Sequence, residues 1–239
     1  LIKALIDGDV LLHYGTWKAT TLKKAVSQLN HHLEDWVDSS YCETTNVALG
    51  AMDGYNYRFD LYPGYKQIPG RVKGRDERPD WWLDFKQELG GRDYTSVVND
   101  IEADDLLGHW ATASKDFVII TVDKDLDQIA GLHYNPRKKE GYLIEQDQAD
   151  QFFLRQMLMG DSIDRIPGLP GMGPKKAELI VSTGGSNKDL ANIVLDQYFM
   201  QYGDTWQDWF LSNGKMLWIQ RYPNDWFTLA RFKNYYGCN

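Results

Sequence analysis

Apolar positions along the chain follow two patterns. Over Ile2–Ile6, Asn46–Met52 and Phe117–Thr121 they run almost without interruption for a few residues, which predicts short strands buried on both faces. Elsewhere they recur every three or four residues. Leu22, Ala25, Val26, Leu29, Leu33, Trp36 and Val37 predict an amphipathic helix over 20–39, and Ala103, Leu106, Leu107, Trp110 and Ala111 predict another over 101–114. His133-Tyr134 and Tyr142-Leu143-Ile144 flank a basic turn, Arg137-Lys138-Lys139, and predict a hairpin. Helical spacing returns at 147–159, 174–182 and 190–202, with Gly184-Gly185 as a break. Strands alternating with helices predict an α/β fold with a central, mostly parallel sheet flanked by helices.

Two stretches fit neither pattern well. From Arg58 to Tyr94 glycine, proline, aromatic and basic residues interleave, with a single helix predicted after Pro79. Lys66, Arg71, Lys73 and Arg75 fall there with no acid between residues 64 and 75. A solvated loop and a basic arm that meets a polyanion fit this composition equally well. From Tyr198 to Tyr236 there are thirteen aromatic residues, a density better suited to a small helical core than to base-stacking platforms.

The polar residues at the ends of the apolar runs carry the chemistry. Asp7, Asp53 and Asp123 each follow a predicted strand, and ligands of open α/β sheets bind at that end. Glu102, Asp104 and Asp105 open a predicted helix, where the macrodipole alone would favour acids. Carboxylates after three separate strands go beyond capping and point to hard divalent cations held by oxygen ligands. In the stretch Met159–Ala177, Asp161 and Asp164 stand beside Gly168, Gly171 and Gly173. That loop could bring backbone amides close to a phosphate before a helix starting at Pro174 and bearing Lys175 and Lys176.

Composition adds bounds. The 239 residues, 43% hydrophobic and 25% charged, suit a globular protein with a real core. The net charge of −8 argues at first against a nucleic-acid partner. Much of it, however, sits between Asp100 and Asp127, where eight acids face two lysines and bound cations would reverse the local sign. No membrane span or signal peptide is expected, so a cytoplasmic protein is expected. Cys42 and Cys238 have no metal-ligand spacing and read as inert, and His31 and His32 read as surface residues.

In order, Ile6-Asp7-Gly8, Met52-Asp53-Gly54, Arg58 with Leu61-Tyr62-Pro63-Gly64-Tyr65-Lys66, Glu102-Ala103-Asp104-Asp105, Asp123-Lys124-Asp125-Leu126 and Gly160–Lys176 resemble the motifs of the 5′ nuclease superfamily. That group comprises flap endonucleases, bacteriophage 5′ to 3′ exonucleases and the nuclease domain of bacterial DNA polymerase I. The resemblance covers about residues 1–185. It implies a nuclease core over 1–156 with a helical arch at about 64–95, then a helix-three-turn-helix and a C-terminal helical region over 157–239. It assigns Asp7, Asp53, Glu102, Asp104, Asp105 and Asp123 to one Mg²⁺, and Asp125, Asp161 and Asp164 to a second, with Mn²⁺ as a substitute. Lys66 matches the lysine that meets the scissile phosphate. Arg71 stands near the matching arginine, although Gln67-Ile68-Pro69-Gly70 replaces the usual shorter spacing. Arg58, Lys73, Arg75, Gly168, Gly171, Gly173, Lys175 and Lys176 would contact DNA, and the carbonyls of Gly168 and Gly171 would hold a potassium ion. The implied activity is structure-specific hydrolysis of double-stranded DNA with a free 5′ end or flap, with an RNA primer as a further substrate. A monomer in the host cytoplasm is implied if the source is a bacteriophage. Two rivals remain: a haloacid-dehalogenase-type phosphatase with Asp7 as nucleophile, and a non-catalytic DNA-binding scaffold.

Overall fold

The computed structural model describes residues 1–69, 73 and 77–238. The chain forms two compact units: Leu1–Tyr57, Arg75–Glu145 and Ile219–Asn224 make the first, and Arg58–Gly74, Gln146–Trp218 and Asp225–Asn239 the second. This differs from the expected division at residue 156. The helix before that point packs with the C-terminal helices, and residues 219–224 return to the first unit.

The first unit is built on strands β1 (Lys3–Asp7), β2 (Thr44–Leu49), β3 (Thr95–Val97), β4 (Phe117–Ile120), β5 (Gly131–Asn135) and β6 (Glu140–Ile144), in spatial order β3-β2-β1-β4-β5-β6. All pairings are parallel except β5 with β6. Successive residues of β1 face opposite sides, so Ala4 and Ile6 join one apolar cluster and Leu5 the other. The first cluster is covered by helices α1 (Gly8–Thr16), α2 (Leu22–Ser39) and α4 (Trp82–Gly90), through Leu11, Leu12, Leu29, Trp36 and Phe85. The second is covered by α5 (Ala103–Ala113), through Ala103, Leu107 and Ala111. Burial on both faces explains why β1, β2 and β4 lack polar alternation. Strand order reverses between β1 and β4, and such a switch point opens a crevice at the carboxyl ends of the strands.

Two elements of this unit were not anticipated. Helix α1 begins directly after β1 because the Asp7 carboxylate caps it, accepting the Val10 N–H at 3.1 Å. In the sequence Asp7 reads only as the end of a strand. At Gly8 an added Cβ would lie 2.5 Å from the Ala48 carbonyl oxygen, so only glycine lets the helix start this close to β2. Strand β3 has three residues at the sheet edge and is too short for periodicity to reveal.

The second unit is helical: α3 (Arg58–Leu61), α6 (Gln146–Met159), α7 (Pro174–Thr183), α8 (Asn187–Tyr202), α9 (Trp206–Leu217) and α10 (Leu229–Tyr236). The aromatic tail forms its core, with Tyr198, Phe210, Trp218, Phe227 and Phe232 all buried against Phe153 of α6. Tyr198 donates to the Met157 carbonyl at 2.7 Å and accepts from the Asn213 amide at 2.8 Å, so its buried hydroxyl is satisfied. Among the described residues, no helix is long and apolar enough to cross a membrane.

Candidate active site

Asp7 ends β1, Asp123 follows β4, and the charges of Asp9 and Asp123 both act on Asp7. Asp7 is 4% exposed, its second oxygen accepting the Thr121 hydroxyl at 3.0 Å. Burial and the Asp9 charge push its carboxyl up to about 7, with Asp123 adding to them, against the Val10 and Thr121 hydrogen bonds. Asp123 follows β4 and turns the chain by accepting the Asp125 N–H at 2.9 Å. Asp125 pairs with Lys124 at 2.7 Å. Beyond β2, exposed Asp53 accepts the Tyr55 N–H at 2.9 Å. Glu102 stands at the N-cap of α5, held from the side by the Asn56 amide at 3.2 Å, and Asp104 lies in the first turn.

Asp105 departs from its expected role as a metal ligand. It is fully buried, one oxygen accepting the Glu102 N–H at 3.0 Å and the other the Gln220 N–H at 3.0 Å. Both oxygens thus support backbone. Two other residues join the acidic group. Asp9 accepts the Gly50 N–H at 3.3 Å and acts on Asp7. Lys86, buried on α4, donates to the Ala51 carbonyl at 2.6 Å. Its burial lowers the ammonium pKa and Arg78 adds to that, while the charges of Asp9 and Asp53 oppose it. Asp9 was legible as the second acid of Asp7-Gly8-Asp9. Lys86, set among polar and apolar helical residues, had no signal.

Among the described residues, no three Asp, Glu, His or Cys side chains converge as a finished metal cage. Backbone N–H groups and the Thr121 hydroxyl hold the Asp7, Asp53 and Asp123 carboxylates. The donor set nevertheless fits a hard divalent cation. Its ligands are oxygens, and burial, followed by the Asp9 and Asp123 charges, disfavours the ionised Asp7 carboxyl, a cost that a cation would offset.

In the second unit the loop between α6 and α7 brings Asp164 to Lys66. The Lys66 N–H donates to the Asp164 carbonyl at 3.2 Å, and its ammonium lies 3.6 Å from the Asp164 carboxylate and 4.9 Å from the Tyr65 ring centre. Asp161 is buried and shapes the same loop, accepting N–H groups of Ile163 at 2.7 Å and Asp164 at 3.2 Å. Gly160 and Gly168 have positive φ and meet so closely that a Cβ on Gly168 would stand 2.2 Å from the Gly160 nitrogen. Gly171 also has positive φ, and Gly173 caps α7, whose first turn carries exposed Lys175 and Lys176. The Gly171 carbonyl accepts the Lys176 ammonium at 3.0 Å and the Gly168 carbonyl the Asn213 amide at 3.5 Å, so side chains of the protein already engage the oxygens expected to hold potassium.

Arg58 does not face a ligand. It is 2% exposed, and its guanidinium donates to the carbonyls of Met216 at 3.0 Å and Trp218 at 2.7 Å, beyond the reach of DNA. Lys73 is exposed, and Arg71 and Arg75 lie outside the described residues.

Comparison with known proteins follows these features. No family model matches the chain. The flap endonuclease Xni of Shewanella halifaxensis is 30% identical over 156 residues, and the match spans 59% of this chain and 59% of that protein. The bacteriophage T5 D15 flap endonuclease, solved as a pseudo-enzyme–product complex with DNA and metal ions, shares the fold with a TM-score of 0.68 at 18% identity, over 99% of this chain and 98% of that one. This likeness shows a fold shared with the T5 enzyme. Flap endonuclease-1 of Methanococcus jannaschii aligns with a TM-score of 0.56 at 11% identity, over 99% of this chain and 90% of that one. The sequence match thus spans about three fifths of the length of Xni.

Proposed function

We propose that this protein is a metal-dependent 5′ nuclease that hydrolyses DNA phosphodiesters at a 5′ end or flap. The observation that carries the reading is Asp7, buried at the switch point beside Asp9 and Asp123, with too much negative charge for its surroundings unless a cation joins it. Asp7, Asp53, Glu102, Asp104 and Asp123 are the residues that would hold one Mg²⁺ or Mn²⁺. The resemblance assigns Asp125, Asp161 and Asp164 to a second. Such cations supply an activated water and neutralise charge on the phosphoryl oxygens during in-line displacement.

The chain's own groups do the rest. Lys66 brings a positive charge for a non-bridging phosphoryl oxygen, and its pairing with Asp164 holds the ammonium ready. Thr121 fixes one Asp7 oxygen, leaving the carboxylate orientation defined. The glycine loop and Lys175-Lys176 at the start of α7 suit the phosphates of a duplex, gripping shape rather than sequence. In this reading α6, the glycine loop and α7 would serve as the helix-three-turn-helix, while the expected arch at about 64–95 lies partly outside the described residues.

Asp123→Asn tests the reading. Cleavage of an end-labelled 5′-flap duplex with Mg²⁺ should fall at least about a thousandfold while DNA binding persists, because removing a metal ligand disables chemistry and leaves the phosphate contacts. Undiminished cleavage would refute the metal assignment. The phosphatase alternative predicts turnover of p-nitrophenyl phosphate and none of the flap substrate.

A further inference from the structure

Residues 219–224 leave the second unit's sequence for six residues and join the first. Their contacts fall on the two segments that carry acids on either side of β4. On α5, the Gln220 N–H donates to Asp105, and the Gln220 side chain meets the His109 ring at 3.3 Å. The Gln220 carbonyl sits so close to Gly108 that a Cβ there would lie 2.2 Å from its oxygen, and 3.1 Å from Ile219 Cγ2. On the short 3₁₀ helix Lys124–Gln128, the Ile219 N–H donates to the Gln128 side chain at 3.3 Å, and Arg221 donates to the Gln128 carbonyl at 2.8 Å. Gln128 and Gln220 are each 1% exposed, and Ile219 completes the apolar cluster that contains Ala103, Leu107, Leu126 and Ile129.

We propose that Ile219-Gln220-Arg221 is a clamp that fixes the spacing of the two acid-bearing segments, with Asp105 as its positioning residue. One side locks the first turn of α5, hence Glu102 and Asp104, because Asp105 binds the Glu102 N–H and the clamp together. The other side locks the turn that presents Asp123 and Asp125. Neither Gln220 nor Asp105 needs to touch a metal. The clamp sets where the ligands stand, as the hydrogen-bonded groups behind metal ligands do in other proteins. This inference rests on the reading of Glu102, Asp104 and Asp123 as metal ligands.

The experiment is calorimetric titration of the DNA-free protein with Mn²⁺, beside flap cleavage as a function of Mg²⁺ concentration. Gly108→Ala displaces the clamp without changing any carboxylate, and Asp105→Asn breaks one of its two backbone bonds. Each should weaken Mn²⁺ binding about tenfold or more and raise the half-saturating Mg²⁺ by a similar factor, with cleavage at saturating metal largely restored. Arg221→Met, at the half-exposed edge, should give a smaller shift with an unchanged thermal midpoint, and it serves if Gly108→Ala does not fold. Asp123→Asn is the control for the underlying reading: if it binds Mn²⁺ like the wild type, the metal assignment fails. If Asp123→Asn loses Mn²⁺ but Gly108→Ala and Arg221→Met bind normally, the clamp is refuted. Loss in Asp105→Asn alone would make Asp105 a direct ligand and also overturn it.

Discussion

At the scale of single residues, environment divides side chains that are alike in sequence. Asp104 and Asp105 are neighbours, yet about 100° of helical rotation leaves one half-buried and drives the other wholly inside. His133 shows the same dependence. Its ring is 1% exposed, donates from Nε2 to the Ile129 carbonyl at 2.8 Å, and packs 5.3 Å from the Tyr142 ring. The carbonyl can only accept, so Nε2 carries the hydrogen. Burial lowers the imidazole pKa below its ordinary 6.5, outweighing the Ile129 hydrogen bond and the Asp127 charge that would raise it. The unfolded chain therefore binds a proton that the folded one resists, and His133 removes stability as pH falls through 6.5. Urea unfolding at about pH 7.5 and about pH 5.5 should show wild type losing more stability than His133→Gln over that interval. Comparison with the variant cancels the other titrating groups, and equal losses would contradict the assignment.

Among elements, what decides is where each one finds hydrogen-bond partners. The Arg58 guanidinium binds the carbonyl of Met216, inside α9, and that of Trp218, just after it, so a matched motif arginine has become part of a helical core. Arg58→Met should lower stability by about 3 kcal/mol, through two buried carbonyls losing a charged donor, and leave duplex affinity unchanged while the protein is folded. Denaturant unfolding beside a DNA-binding titration checks both halves; a large loss of affinity without loss of stability would restore Arg58 to the DNA surface. The glycine loop was legible as a loop, because Gly168 and Gly171 sit at positive φ, where other residues are strained. The bond between Lys66 and Asp164 that meets it was not, since it joins segments far apart in sequence. Helix α1 was missed because the carboxylate that caps it is also the residue that reads as the end of a strand.

For the molecule as a whole, charge distribution matters more than the net value of −8. In the proposed reading the exposed lysines at the start of α7 would meet phosphates, and the counterions released there would make binding depend on salt. Lys175→Ala with Lys176→Ala should weaken duplex binding at low salt and reduce the slope of log affinity against log salt by about 2, one phosphate contact for each lysine. An unchanged slope would place the duplex elsewhere. The sequence alone determined the alternation of strands and helices, the acids at the strand ends and the aromatic helical core, because periodicity and strand-end chemistry act over a few residues. It could not show which acids support backbone, that Arg58 is buried, or that residues 219–221 hold the acid-bearing segments. Those outcomes depend on partners such as Gln220 for Asp105 and Trp218 for Arg58, 115 and 160 positions away, which only folding brings within hydrogen-bond distance.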